Sequence, residues 1–263
     1  KETIKLLDSI IHKNKIVHGY GASTKGNVLL QYFNINQNYM KFIAHRGISS
    51  KAPENTLASF KKSLIQGFNI IEFDVQLSKD DIPVIFHDES LERTTNGVGL
   101  LKNYSWNELK LLDAGIWFGE NFLEERIPSL DQVLKIFHGN SHLQIELKSN
   151  ETNLSQITLT SLQKNFWMDS YNKTPYSIPG FSLTSFNINQ VISAKKLEPR
   201  INVGWLREKD EEEISLTEFL LDNKINMYIP NVNSTFWENI ELKNSLKENN
   251  ITLCAWGAKK LSD

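Results

Sequence analysis

This sequence predicts an α/β fold built on a parallel sheet, and three observations point there. Strand-like and helix-like segments alternate along most of the chain, the pattern of a parallel sheet whose faces are covered by crossover helices. Six or more such units follow one another, which favours a barrel over an open sheet, a choice that periodicity alone leaves open. Several apolar strands also end abruptly in ionisable residues, at positions where burying charge is costly.

Taken in order, "KIVHGYG" (15–21) reads as a strand running into glycines, and "STKGNVLLQYF" (23–33) as a helix. "KFIAHRG" (41–47) places Phe42, Ile43 and Ala44 in a short buried strand, then turns polar at His45 and Arg46. "PENTLASFKKSLIQG" (53–67) spaces Leu57, Phe60 and Leu64 for one helix face, with Pro53 at its start and Gly67 as its stop. "IIEFDVQLS" (70–78) and "IPVIFHD" (82–88) are strands, and "SLDQVLKIF" (129–137) is a helix with Ser129 as N-cap. "LQIELK" (143–148), "FSLTSF" (181–186), "INVGWL" (201–206), "NMYIPNV" (226–232) and "LCAWGA" (253–258) are further strands, with helical stretches between most of them. The charge run "REKDEEEIS" (207–215) reads as a solvated loop.

The 263 residues suffice for one large α/β domain or two small ones. Hydrophobic residues make up 40% and charged residues 23%, ordinary for a globular chain, and the formal net charge of −2 gives no electrostatic case for nucleic acid or an anionic membrane. Cys254 is the one cysteine, so no internal disulfide forms. No run reaches the roughly 18 apolar residues of a spanning helix. The opening "KETIKLLDSIIHKNK" lacks a signal-peptide pattern, so the expectation is a cytoplasmic protein. Oligomeric state is not legible.

Between "IIEFDVQLS" and "IPVIFHD" lies only "KDD", too short for a parallel crossover, which takes about a dozen residues. These strands should form a hairpin, and a turn centred on Lys79–Asp80 sets Glu72 opposite His87. Glu72 and Asp74, two apart on a strand, share one face. "QIELK" adds Glu146, with Lys148 on the same face. Carboxylates gathered this way repel unless something positive lies between them, and a hard divalent cation, Ca²⁺ or Mg²⁺, prefers such oxygen ligands and can hold a phosphate oxygen. Arg46 and Lys148 add donors for the same anion, and His45 and His87 can serve as an acid/base pair.

The motifs "AHRG…PENT", "IEFDVQLSKDDIPVIFHDESLERTTNGVG", "LKLLDAGIWF", "IPSLDQVL" and "IELK", in this order, resemble the glycerophosphodiester phosphodiesterase family over about residues 41–258. The resemblance implies a distorted (β/α)₈ TIM barrel of the phospholipase-C-like phosphodiesterase type, with a small insertion at about 89–128. It implies one divalent cation, usually Ca²⁺ or Mg²⁺, held by Glu72, Asp74 and Glu146, with His45 and His87 as the catalytic histidines. Arg46 and Lys148 would hold the phosphate, Glu54 of "PENT" would join the substrate site, and the family's late Ser-Phe and Trp positions look like "TSF" (184–186) and Trp256. The implied reaction is hydrolysis of glycerophosphodiesters to sn-glycerol 3-phosphate and an alcohol. The alternatives are a phosphate- or lipid-headgroup-binding module with impaired turnover and a lysophospholipase D-type variant. Trp106, Trp117, Phe118 and Phe122 of the insertion would then line a headgroup pocket or contact lipid, or else form a minicore.

Both chain ends depart from that pattern. The family's last strand, of the type "GVDGIITDYP", has no counterpart after "AWGAKKLSD". Residues 1–38 instead resemble a fragment of the C-terminal domain of S-adenosylmethionine-dependent C-methyltransferases, whose "GYGA…KGN" closes a strand–turn–helix; a glycine-rich turn entering a helix can cradle phosphate, which makes a nucleotide-binding fragment a third reading. The chain therefore divides into an N-terminal strand–helix segment (1–40) and a barrel (41–263). The expectation is that 15–21 fills the vacant slot between 41–47 and 253–258, sparing the barrel two raw edges.

Overall fold

The computed structural model describes residues 17–20, 40–170, 174–208 and 215–257. The helix expected over 23–33, most of the charge run 207–215 and residues 258–263 lie outside them. Nine strands are described: β1 (Val17–Tyr20), β2 (Met40–His45), β3 (Ile70–Leu77), β4 (Pro83–Ile85), β5 (His142–Leu147), β6 (Gly180–Ser185), β7 (Asn202–Arg207), β8 (Met227–Pro230) and β9 (Thr252–Leu253). They form one sheet in the order β1-β2-β3-β5-β6-β7-β8-β9, parallel throughout, with β4 antiparallel on β3. The sheet curls into a half-barrel of the distorted TIM type. Seven α-helices are described: α1 (Leu57–Ile65), α2 (Trp106–Leu109), α3 (Leu130–Phe137), α4 (Leu154–Lys164), α5 (Ile188–Leu197), α6 (Leu216–Asp222) and α7 (Ile240–Glu248).

Period-two alternation decides which side chain faces which layer. On β3, Ile71, Phe73 and Val75 join the large core that also holds Phe60, Leu134, Phe137, Leu143, Ile145 and Trp167. Ile70, on the other face, packs with Ile43, Tyr176, Leu206, Met227, Ile229 and Cys254 in a second, smaller core. Both faces of β3 are buried along its whole length. Its two charged residues, Glu72 and Asp74, share a face with Ile70 and are therefore carried into the protein rather than out to water.

α3 shows how tightly the local code is written. Ser129 Oγ accepts from Gln132 N (3.3 Å) while Gln132 Oε1 accepts from Ser129 N (2.9 Å), a reciprocal cap. Leu130, Val133, Leu134 and Phe137 then fall on one face, all fully buried. Each such burial contributes roughly 1.5–3 kcal/mol. α1 starts later than expected. Its N-cap is Thr56, whose side chain accepts from Ser59 N, and Pro53 sits in the preceding loop with its carbonyl accepting from Thr56 Oγ1 (2.7 Å). Its stop is the expected one: Gly67 takes φ +84° just past the helix.

The β3–β4 hairpin forms, in a different register. The pairs are Leu77↔Pro83, Gln76↔Val84 and Val75↔Ile85, so the turn is centred on Asp80 and the expected pairing of Glu72 with His87 is shifted by one residue. The cause is a wider turn: Ser78 N donates to Ile82 O (3.0 Å), Ser78 Oγ donates to Asp80 Oδ1 (2.7 Å), and Asp81 takes a left-handed φ of 59°. His87 lies beyond the ladder, where strand alternation no longer fixes its direction.

β1 pairs in parallel with β2, from Val17↔Met40 to Tyr20↔Ile43. At the opposite edge β9 is two residues long and pairs with β8, followed by a single parallel bridge between Asn231 and Trp256. No pairing of β1 with β9 occurs among the described residues. Within 86–128, Phe86, Leu91, Leu101, Leu109, Ala114 and Ile127 make a separate small core with Val84, against which Trp106 packs. Trp117, Phe118 and Phe122 stack edge to face apart from it. None of the described helices is long and apolar enough to cross a membrane.

Candidate active site

Parallel pairing aligns the C-terminal ends of β2, β3 and β5. Register sets His45 beside Glu72 and Asp74 beside Glu146. Glu72, Asp74 and Glu146 each bring a carboxylate oxygen within 4.8 Å of the others. They are 0%, 1% and 6% exposed, so their repulsion is little screened by water. Burial first, then Asp74 and Glu146, push the Glu72 carboxyl well above its usual range. Glu146 is pushed up to about 7 by burial and by Asp74.

Two cations offset part of this charge. Lys148 Nζ donates to Glu146 Oε1 (2.9 Å) and lies 3.8 Å from Asp74 Oδ1. Against the cost of its own burial, Glu146 and Asp74 hold its ammonium charged. Arg46 Nη1 donates to Glu54 Oε1 (2.8 Å), while its Nε lies 3.3 Å from Asp74 Oδ2 without hydrogen-bonding geometry. Even so, Glu72 Oε1 and Asp74 Oδ1 remain buried with no hydrogen-bond donor. Buried carboxylate oxygens are normally satisfied. Two orphans in one cluster of hard oxygen donors fit a divalent cation of the Ca²⁺ or Mg²⁺ kind, which Glu72, Asp74 and Glu146 would hold.

The backbone at the mouth of β2 is bent to serve this cluster. Arg46 (φ 54°) and Gly47 (φ 76°) both take left-handed conformations, which costs a non-glycine residue roughly 1–2 kcal/mol. Arg46 N donates to Glu72 Oε2 (2.9 Å), and Arg46 O accepts from Asn55 N (3.1 Å) and Ser59 Oγ (3.0 Å). Gly47 also has a steric reason: a Cβ there would lie 2.4 Å from Ser59 Oγ. The "HRG" turn thus aims the guanidinium at Asp74 and caps Glu72 with a peptide N–H.

His45 Nε2 lies 3.9 Å from Glu72 Oε2. The protein packed around the ring and the charge on Arg46 hold it down, to about 4. His87 is lowered by desolvation; it feels Asp74, Arg46 and Lys148 from the cluster, and its Nδ1 lies 2.5 Å from Asp88 Oδ1. Both imidazoles therefore border the same charge cluster. Trp256 stands one layer out. Its indole packs edge to face on Phe186 (5.0 Å between centroids), and Lys148 Nζ lies 5.6 Å from the Phe186 ring centre. Glu54 faces the two arginines, Arg46 and Arg93, not the carboxylates.

Three residues of this site were not singled out from sequence. Asn55 donates from Nδ2 to Asp74 Oδ2 (2.8 Å). Asp88 meets His87, and Arg93 reaches both Asp88 and Glu54. All three stand inside the motifs "PENT" and "FHDESLER". The available signal was a carboxylate next to a histidine with an arginine five residues on.

The comparisons with known proteins follow the same lines. Residues 45–262 match the glycerophosphoryl diester phosphodiesterase family, and residues 1–53 match the C-methyltransferase C-terminal domain. A glycerophosphodiester phosphodiesterase of Caldanaerobacter subterraneus subsp. tengcongensis is 41% identical over 165 residues, 62% of this chain and 65% of that protein. One from Bacillus subtilis is 31% identical over 76% of this chain and 68% of its own length. Among solved structures, an Oleispira antarctica phosphodiesterase in complex with the product sn-glycerol-3-phosphate superposes with a TM-score of 0.70 at 32% identity, covering 84% of this chain and 85% of that one. A glycerophosphodiester phosphodiesterase from Agrobacterium tumefaciens shares the fold, at 22% identity and a TM-score of 0.68 over 84% and 89% of the two chains. The chain spans just under two thirds of the first of these relatives, and with its motifs in order and its strand ends carrying them, it belongs to the glycerophosphoryl diester phosphodiesterase family.

Proposed function

We propose that this chain hydrolyses glycerophosphodiesters to sn-glycerol 3-phosphate and an alcohol, with one bound divalent cation, Ca²⁺ or Mg²⁺. The observation that carries the reading is the buried Glu72–Asp74–Glu146 cluster, two of its oxygens orphaned, bordered by two imidazoles and two cations. The Oleispira relative, whose product is sn-glycerol 3-phosphate, supports the substrate class.

The bound cation would supply positive charge against the phosphodiester and its developing anion. The protein's own residues do the rest. Arg46 and Lys148 bind the phosphate oxygens, Arg46 with a planar fork and Lys148 as a point charge. One histidine takes the proton from the attacking oxygen, a glycerol hydroxyl or a water, and the other gives one to the departing oxygen. Each positioned proton transfer contributes roughly 10²–10⁴-fold. Burial of the cluster makes these interactions stronger than they would be in water. Trp256 and Phe186 offer an apolar wall for the non-reacting part of the substrate.

The test is glycerol 3-phosphate release from glycerophosphocholine with Ca²⁺ or Mg²⁺, with and without chelator. Activity lost to chelator, and lost by at least 10²-fold in His45→Ala and His87→Ala proteins of unchanged circular dichroism, supports the reading. Tight glycerophosphocholine binding without product would make the protein a headgroup-binding module instead. A long-chain lysophospholipid cleaved in preference to glycerophosphocholine would make it a lysophospholipase D.

A further inference from the structure

One guanidinium, from the loop after β4 that also carries His87 and Asp88, joins the two sides of the site. Arg93 donates through Nη1 and Nη2 to Glu54 Oε2 and Oε1 (3.0 and 2.8 Å), and through Nε and Nη2 to the two oxygens of Asp88. Glu54 in turn accepts from Arg46, and Asp88 meets His87. A continuous chain of charged pairs therefore runs Arg46–Glu54–Arg93–Asp88–His87. We propose that Arg93 is a positioning residue for catalysis, holding Asp88 against His87 Nδ1 and Glu54 against Arg46, so that the imidazole on one side of the carboxylate cluster and the guanidinium on the other are set by a single clamp.

The chemistry of the pairs gives the clamp a definite consequence. Asp88 resists desolvation because Arg93 and His87 bond to it, and it is held at about 2. It is thus ionised near neutral pH, and an ionised carboxylate only accepts. The proton shared with His87 must then sit on Nδ1, which leaves Nε2 as the nitrogen able to take or return a proton. Without Arg93, Asp88 gains a choice of rotamers and the tautomer is no longer imposed. The groups facing His87 are Asp74 from β3, Arg46 from the β2 turn, Lys148 from the end of β5 and its neighbour Asp88. Arg93 itself is 45% exposed, so its substitution should cost far less stability than that of a buried core residue.

This inference rests on the proposed activity for its kinetic arm only, and the spectroscopic arm is independent of turnover. Nitrogen-15 chemical shifts of the histidine side chains, assigned with the His87→Gln protein, report the His87 tautomer. The wild type is expected in the Nδ1–H form, and Arg93→Gln and Asp88→Asn in a mixture of tautomers, with melting temperatures close to wild type. Arg93→Lys, which keeps the charge but not the fork, should fall between. In the kinetic arm, Arg93→Gln should lose about 10–100-fold, mainly in kcat, the scale of outer-shell changes. The double variant Arg93→Gln/Asp88→Asn should lose less than the product of the two single losses, because both act on His87 while only Arg93 also holds Glu54. An unchanged His87 tautomer in Arg93→Gln overturns the proposal, and so do fully additive kinetic losses. Absence of any glycerol 3-phosphate release by the wild type would strike the proposed activity, leaving the tautomer to decide the role of Arg93.

Discussion

Asp74 and Asp113 are both buried aspartates, and the protein treats them in opposite ways. Asp113, in the insertion, is 7% exposed. Its Oδ1 accepts from Gly115 N (2.8 Å) and Ile116 N (2.7 Å), and its Oδ2 from Glu124 N (2.6 Å) and Arg126 Nη1 (3.3 Å). These bonds outweigh desolvation and hold its carboxyl below the usual range. Asp74 and its neighbours Glu72 and Glu146 share fewer donors among three carboxylates, keep orphaned oxygens, and two of the three are pushed upward instead. Burial alone does not separate a structural carboxylate from a functional one. Satisfaction does: Asp113 has what it needs within the chain, whereas the β3–β5 cluster keeps buried oxygens with no donor.

The sharpest way to break this contrast is to remove one charge from each side. Glu72→Gln should lose more activity than the roughly 10–100-fold typical of an outer-shell change, because it removes a proposed cation ligand. It should also leave the metal-free melting temperature equal or higher, because one of three crowded charges is gone while an oxygen remains for Arg46 N. Kinetics with saturating Ca²⁺ or Mg²⁺, together with calorimetry in chelator, would measure both. A metal-free protein strongly destabilised by Glu72→Gln would show the cluster to be structural after all.

Asp113→Asn should do the reverse. An amide offers one acceptor oxygen where the loop presents three peptide N–H groups and an arginine, and an unsatisfied buried donor costs roughly 1–3 kcal/mol. For a domain of this size each kcal/mol lowers the melting temperature by about 2–4 °C. Activity per folded molecule should stay at the wild-type level. The loop has no slack for rearrangement, since a Cβ at Gly115 would lie 1.8 Å from Phe122 O.

Much of the contrast was legible in the sequence, though not all. Glu72, Asp74, Glu146 and Lys148 could be read because charge inside an apolar strand is improbable and two-residue spacing fixes the face. The same alternation failed at His87, because a side chain past the end of a ladder is aimed by its loop; the turn at Ser78–Ile82 moved the register by one. Asn55, Asp88 and Arg93 were hidden for a related reason. They act through loop conformations such as the left-handed Asn55 (φ 57°), and no periodicity marks which loop side chains converge. Asp113 lies within the motif "LKLLDAGIWF", but nothing in the sequence singled it out, since most of its partners are peptide N–H groups that any sequence supplies.

The smallest expected effect is also the most diagnostic, because it is a trend rather than a loss. Glu146, at about 7 in the fold, lies above the ordinary glutamate value of 4.5. The folded protein therefore keeps a proton that the unfolded chain gives up, so this group favours folding at low pH, and its contribution is lost as the pH rises through about 7. Glu72 acts in the same direction. His45, lowered to about 4, acts oppositely but only below the ordinary histidine value of 6.5, which leaves pH 6.5–8 as the clean window. Through Glu146 alone, metal-free protein should lose about 1–3 °C of melting temperature across it, whereas Glu146→Gln should show a flatter profile. Added Ca²⁺ or Mg²⁺ must displace that proton to bind, so its stabilising shift should be larger at pH 8 than at pH 6.5. A metal-free profile as flat in the wild type as in Glu146→Gln would mean that the cluster is not frustrated, and the difference from Asp113 would disappear.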